Sequence, residues 1–419
     1  MTEATSPLRA ATIIRGHALG PTRLMIVLAI MATTNMLNAM DRQIFPILLP
    51  QIQGHYGFSI EAAGLLSTIF TLGIGLAGIP AGIIADRFDR KLVIVTSIGI
   101  FSVATGLQAT AVSFADMFVY RVLTGIGEGI QNAALFAVAG AFFHHRRTMA
   151  LGVLTGAYGL GAALSPVFGA SIMDITGHWQ TPLIALALFG VVVMLLWNFV
   201  PRSVTQTGTI GDGASPVAHD QPSLVERSRL STRNVVRLCA IAAVTGVMIY
   251  GYLGLYPTYL ISVRDFSTRE AAIVMSSFGI GGISAIPLGM LADRWNQKWL
   301  NVIALSGFMV VGSSIFIVVS DAFAIQLILS FLMGMLFTGI VYPNSMSLLQ
   351  KNMPASRGGF ATGLFVAMLY IPSSISGYLI AFLATKFGWQ VAGASTMVAL
   401  AAVSLIVMFT YRPSDQLFR

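Results

Sequence analysis

The chain has 419 residues, of which 56% are hydrophobic and only 10% charged, and its mean hydropathy is +0.80. A soluble domain carries roughly 25% charged residues, so most of this surface faces lipid and a water-soluble enzyme is excluded. The formal net charge of +8 is scattered over short loops, which argues for a membrane setting and against nucleic acid as a partner.

Residues 1–23 are polar and contain Arg9 and Arg15, with no short apolar segment ending in a small-residue cleavage site. We read them as a cytoplasmic tail and expect no signal peptide. A helix needs about 20 apolar residues to cross the hydrocarbon core. That rule predicts spans over Leu24–Leu49, Ile60–Ile83, Leu92–Ala111, Phe114–Phe142, Met149–Met173 and Thr181–Val200. A second set follows over Val236–Ile261, Ala271–Leu291, Leu300–Val319, Ala322–Leu348, Gly359–Thr385 and Val391–Tyr411. The expected domains are therefore a six-helix bundle over residues 24–200, a flexible cytoplasmic linker over 201–235, a second bundle over 236–411 and a cytoplasmic tail over 412–419. The linker is rich in Ser, Thr, Gly and Asp, as flexible connectors are. The single cysteine, Cys239, excludes a disulfide framework within the chain.

Loop charges set the orientation. With the N-terminus inside, about 19 of the 24 Lys and Arg fall on the cytoplasmic side. Three fall opposite (Arg264, Arg269, Lys386) and two lie within helices (Arg42, Arg121). Both termini are therefore expected in the cytoplasm.

The two halves echo each other. GIIADRFDRK (Gly82 to Lys91) follows the second span and GMLADRWNQK (Gly289 to Lys298) the eighth, which sets Asp86 and Asp293 207 residues apart. Arg147, Ala150 and Gly152 are echoed by Arg357, Ala361 and Gly363. Duplicated six-helix units mark a transporter whose site lies between its halves.

An ionisable residue at mid-helix costs roughly 2.5–3.5 kcal/mol on insertion scales and is functional by default. Four such residues occur, Asp41 and Arg42 in the first span and Arg121 and Glu128 in the fourth, all in the N-terminal half. Arg121 and Glu128 are two turns apart on one face, and Thr34, Asn38 and Asp41 form a polar stripe. The competing reading is a static ion network that ties two helices together. On the functional reading, Asp41 and Glu128 carry protons, because the protonation of a caged carboxylate follows its solvation and its arginine neighbours. Arg42 meets an anionic substrate through its planar fork, and Arg121 is the internal counter-ion of Glu128 beside it. Further substrate contacts are expected from Asn38, Gln131, Asn132 and Tyr158 in the first half. The second half offers Tyr256, Tyr342, Asn344, Tyr370 and Ser373, placed beside prolines that free backbone carbonyls. Tyr250 and Tyr252 read equally well as aromatics of an interfacial belt.

The segment GIIADRFDRK resembles the signature loop of the major facilitator superfamily, matching at Gly82, Ala85, Asp86, Arg87, Arg90 and Lys91, with Asp89 where that family usually has glycine. RVLTGIGEG and GAALSPVFGA are similar to its fourth- and fifth-helix motifs. The resemblance implies an all-α integral membrane protein of 12 transmembrane helices in two pseudo-symmetric six-helix bundles. It also implies that Gly82, Asp86, Arg87, Arg90, Lys91 and their echo at Asp293 and Arg294 gate the cytoplasmic side. The positive charges there also serve as topological signals. N-x-x-D-R in the first helix, with R-x-x-x-G-x-G-E in the fourth, looks like two subfamilies, the anion:cation symporters and the spinster-like lipid transporters. Both would place proton coupling on Asp41 and Glu128 and the substrate near Arg42 and Arg121.

No Walker A segment, Cys/His zinc spacing or G-x-S-x-G elbow is present, so no ATP drive, metal, cofactor or enzymatic activity is expected. The expected function is proton-coupled uptake of a small organic anion by a monomer in a bacterial inner membrane. The alternatives are proton-coupled export of an amphipathic compound, drug or lysolipid, and a receptor that keeps a transporter fold without transport.

Overall fold

The computed structural model describes residues 20–143, 147–205, 224–284, 287–288, 295–318, 322–353 and 358–412. Among these, eleven helices are long and apolar enough to span a bilayer. In chain order we name α1 (Thr22–Tyr56), α2 (Ile60–Gly78, continuing to Arg87), α3 (Arg90–Gln108), α4 (Phe114–Phe142), α5 (Met149–Thr176), α6 (Gln180–Phe199) and α7 (Arg233–Val263). Then come α8 (Thr268–Ile283), α9 (Gln297–Ile317), α10 (Phe323–Lys351), α11 (Phe360–Phe387) and α12 (Trp389–Thr410). Helix α8 is described over a shorter stretch than its neighbours, because residues 285–286 and 289–294 are not described. The spans therefore follow the expected ones, and the chain is an all-α membrane protein. One segment differs. Residues 224–235 form the first turns of a helix that runs on to Val263, and Arg202–Thr205 is helical, so only residues 206–223 of the expected linker lie outside the description.

Lipid offers the backbone no hydrogen-bond partner, so each span must be helical and its ends must be capped. Ser59 caps α2, Ser113 caps α4, and Ser267 caps α8 in a capping box with Glu270. Gly57 ends α1 with φ of +66°, a left-handed turn that glycine adopts without strain.

The duplication seen in the sequence has a structural counterpart. Asp89 accepts the Lys91 and Leu92 amides and caps α3, while Asn296, 207 residues later, accepts the Lys298 amide and caps α9. Lys91 Nζ donates to the Val200 carbonyl at the end of α6 (2.7 Å). Lys298 Nζ donates to the Phe409 and Tyr411 carbonyls at the end of α12 (3.1 and 2.6 Å). Each lysine thus neutralises the negative end of the last helix in its own half. Asp89, the departure from the signature loop, is therefore a helix cap. Close crossings repeat too. A Cβ on Gly73 or Gly125 would strike the Val122 or Phe70 carbonyl across α2 and α4, and Gly281 and Gly334 stand likewise toward Phe331 and Phe278 across α8 and α10.

The halves meet along α2 against α11 and α5 against α8. Helix α2 is interrupted at Ile69, and α11 is interrupted at Ser374–Ile375, just after Pro372 removes a backbone donor. The two breaks touch. Thr68 Oγ1 donates to the Ser374 carbonyl at 2.9 Å and accepts from the Gly377 amide at 3.2 Å. One turn further toward the rim opposite the termini, Gly64 and Gly377 pack backbone on backbone.

Candidate functional site

The four intramembrane charges lie at this seam. Arg42 Nε stands 2.9 Å from Glu128 Oε2, with both side chains essentially removed from solvent. Arg42 Nη1 also donates to the Tyr370 hydroxyl of α11 at 3.1 Å, which crosses from one half to the other. The guanidinium lies 5.7 Å from the Tyr158 ring centre and 5.8 Å from that of Tyr370. Tyr250 packs on Tyr370 with ring centres 5.4 Å apart, and the Tyr342 hydroxyl neighbours that of Tyr370. Four tyrosines from α5, α7, α10 and α11 thus surround one arginine of α1.

Asp41 points elsewhere. Both its carboxylate oxygens accept from the Thr105 hydroxyl of α3, at 2.7 and 2.8 Å, inside the N-terminal half. Its carboxyl group adjoins that of Glu128. Arg121 does not pair directly with Glu128. Its Nε and Nη2 donate to the Leu66 and Ser67 carbonyls where α2 breaks (3.0 and 2.9 Å), and its guanidinium sits over Phe45 and Phe70 at 4.2 and 4.5 Å. The Thr68 carbonyl is taken by Thr71, so all three carbonyls at the break are satisfied. The expected counter-ion of Glu128 is thereby corrected from Arg121 to Arg42. Asp41, Arg42, Arg121 and Glu128 are together formally neutral, which is how such a cluster persists in a low-dielectric interior.

Other expected residues divide into two groups. Asn38 Nδ2 donates to Gln131 Oε1 at 2.6 Å and to the Glu128 carbonyl at 3.2 Å, which joins both amides to the cluster, with Asn132 half-buried at the next position of α4. Tyr158, Tyr342 and Tyr370 join it from their own helices. Tyr256 does not. It stacks on Tyr252 and hydrogen-bonds Gln326 inside the second half (2.5 Å). Ser373 turns back onto the Leu369 carbonyl, and Asn344 is buried. Tyr250 and Tyr252 are buried, so neither belongs to an interfacial belt. Of the loop motif, Arg87 is exposed, Arg90 buried and Lys91 bonded as above. The side chains of Gly82 and Asp86, and all of Asp293 and Arg294, lie outside the described residues. Sequence reasoning missed Thr105. Its signal is a row of polar residues, Ser102, Thr105 and Gln108, three apart on the otherwise apolar α3 and all buried. It also missed Gln43 and Phe70, which with Arg42, Ser67 and Tyr250 line a cavity with room for about one water. In this conformation Arg42 and Glu128 are buried.

The sequence profile of the Major Facilitator Superfamily matches residues 31–377, most of the chain. The chain belongs to that superfamily. Its members transport solutes and are not enzymes. The chain is 22% identical over 372 residues to the hexuronate transporter of Bacillus subtilis (strain 168), covering 84% of this chain and 87% of that protein. It is 26% identical over 294 residues to the sphingosine-1-phosphate transporter SPNS2 of Xenopus tropicalis, covering 64% and 54%. The chain thus spans about half the length of that spinster relative. Among solved structures it resembles a bacterial homologue of the human lysosomal transporter spinster in an inward-facing, unoccupied conformation, with TM-score 0.72, 17% identity and coverage of 95% and 99%. It also resembles a D-xylose-proton symporter, with TM-score 0.71, 14% identity and coverage of 94% and 99%. At these identities the two structures establish the fold alone.

Proposed function

We propose that this transporter takes up a small organic anion together with a proton by alternating access. Residues 24–200 and 236–411 rock about Arg42, and both termini lie in the cytoplasm of a bacterial inner membrane. The observation that carries the reading is Arg42 itself. It is a buried guanidinium at the seam, held by Glu128 in one half and by Tyr370 in the other. The four-charge cluster is formally neutral. A carboxylate substrate brings one negative charge into an apolar enclosure, and a proton on Glu128 restores neutrality. That proton also releases the fork of Arg42 to the incoming carboxylate, which it binds in two-point fashion. When the proton leaves, Glu128 reclaims Arg42 and expels the cargo. Asp41 serves as a second proton site beside Glu128, Asn38 and Gln131 offer amide contacts, and Arg121 fixes the break in α2. The hexuronate transporter, matched along most of both chains, supports an acidic sugar as cargo.

The test is accumulation of a panel of labelled hexuronates and aldonates in proteoliposomes under an imposed pH gradient. Gradient-driven accumulation is expected, and Glu128→Gln is expected to abolish it while sparing exchange of substrate across the membrane. Uptake indifferent to the gradient overturns the coupling. A second reading, export of a lysolipid or other amphipath, is favoured by the tyrosine cage around Arg42 and by the spinster relatives. Lysolipid-driven quenching of the pH gradient, with no response to sugar acids, would select it.

A further inference from the structure

A second candidate site lies away from Arg42, on the membrane rim opposite the termini. A lateral cleft of about 440 Å³ opens between the start of α2 and the end of α11, with the start of α4 at its side. It belongs to neither half alone. Two of its lining residues, Leu65 and Tyr378, directly follow Gly64 and Gly377, which pack on each other at the seam.

The lining combines three chemistries. Tyr378, Phe382 and Lys386 follow one another at four-residue intervals on α11, so they share one face. The Tyr378 and Phe382 rings are stacked at 6.1 Å, and the Lys386 ammonium sits 5.1 Å from the Phe382 ring centre. Across the cleft, Leu65 and Phe114 supply apolar surface, and Glu61 stands in the first turn of α2, in the same lining as Thr385 of α11. Glu61 and Lys386 line the same cleft yet form no ion pair with each other. The result is one positive and one negative group held apart over an aromatic floor, at the level where helices leave the hydrocarbon.

We propose that this cleft binds a phospholipid whose headgroup carries a primary ammonium and a phosphate, of the phosphatidylethanolamine type. The phosphate lies on Lys386, the ammonium donates hydrogen bonds to Glu61, and an acyl chain runs along Phe382, Tyr378 and Leu65. An anionic headgroup would meet Lys386 but leave Glu61 facing negative charge. A trimethylated ammonium has no N–H to give to Glu61. Because the lipid touches α2 of one half and α11 of the other, it favours the conformation in which this rim is shut. Parting the halves would divide the cleft and lose one of the two charge contacts.

The experiment uses the full chain in nanodiscs of phosphatidylethanolamine, phosphatidylcholine or phosphatidylglycerol, with native mass spectrometry of co-released lipid. Phosphatidylethanolamine is expected to be retained preferentially. Each of Glu61→Gln and Lys386→Gln should lower its retention about five-fold, as expected for one charge contact near the membrane surface. Both residues are solvent-accessible, and thermal unfolding of the variants verifies the fold. Equal retention of all three lipids, preference for phosphatidylglycerol, or variants that hold phosphatidylethanolamine as well as the parent chain would each overturn the proposal. A spin-label distance across the rim, shorter in phosphatidylethanolamine than in phosphatidylcholine, supports the conformational part, and an unchanged distance refutes it. Neither readout depends on the identity of the transported solute.

Discussion

The Arg42–Glu128 pair yields a stability prediction whose size follows from its geometry. At 2.9 Å and an effective dielectric constant of 20, two unit charges attract by about 6 kcal/mol. Burying them costs several kcal/mol per ion, so the intact pair contributes little net stability. The single variants behave differently. Arg42→Met leaves Glu128 without its ion-pair partner, at a cost of about 3–5 kcal/mol, and also strips Tyr370 of the Arg42 donor. Glu128→Gln leaves a buried guanidinium facing a neutral amide. The double variant Arg42→Met with Glu128→Gln removes both charges. It should recover most of the loss, falling short by about 1 kcal/mol for the lost Arg42–Tyr370 hydrogen bond. Equilibrium unfolding in mixed micelles measures all four corners of the cycle, with an expected interaction energy of at least about 2 kcal/mol. Additive single losses, with no recovery in the double variant, would show that Arg42 and Glu128 do not hold each other in the folded chain.

Three further outcomes are expected. Asp89→Ala and Asn296→Ala remove equivalent caps on α3 and α9 and should each cost about 0.5–2 kcal/mol in thermal unfolding, whereas a neutral result at both would contradict the structural duplication. Gly377→Val places a side chain against the Gly64 backbone and should hold the far rim open. A thiol introduced at Ser67 then becomes more reactive from that side, and unchanged reactivity would mean the seam tolerates the added bulk. Thr105→Val removes the donor to both Asp41 oxygens and should slow proton-driven transport about ten-fold. Thr105→Ser should restore it, whereas loss in both variants would assign the residue to packing.

Much of the fold was legible because lipid imposes simple rules. The spans, the duplicated loop and the four charges stand out in the sequence, and Phe114–Phe142 and the start at Ile60 coincide with the observed helices. The pairing of those charges was not legible. Arg121 and Glu128 share a face of α4, but seven residues separate them by about 10 Å along the axis, too far for a direct pair. Arg42 on α1 reaches Glu128 instead, and no sequence period announces a contact between helices. The tyrosines of α7 show the same limit. Tyr252 and Tyr256, one turn apart, face α10, while Tyr250 turns toward Arg42. A preference for Tyr256 over Tyr250 as a site residue could not have been settled by counting. The start of the helix at Leu224 was hidden for another reason, since its Ser, Arg and Thr content reads as a connector.

The order Asp41–Arg42 has its own consequence. Adjacent residues on a helix point about 100° apart, so these two cannot face the same neighbour. Arg42 faces the seam, where its contact with Tyr370 must break and re-form whenever the halves part. Asp41 faces α3, and its contact with Thr105 lies wholly within one half and moves with it as a rigid body. Glu128 stands between them, paired to Arg42 and adjoining Asp41. On the proposed coupling, sensitivity to cargo therefore resides in Glu128, the only carboxylate of the two that shares a partner with the substrate. Asp41 sees the cargo only through it, and so acts as a proton reserve whose surroundings stay constant through the cycle. Glu128→Gln should then uncouple substrate from proton, whereas Asp41→Asn should alter the proton dependence and leave substrate affinity nearly intact.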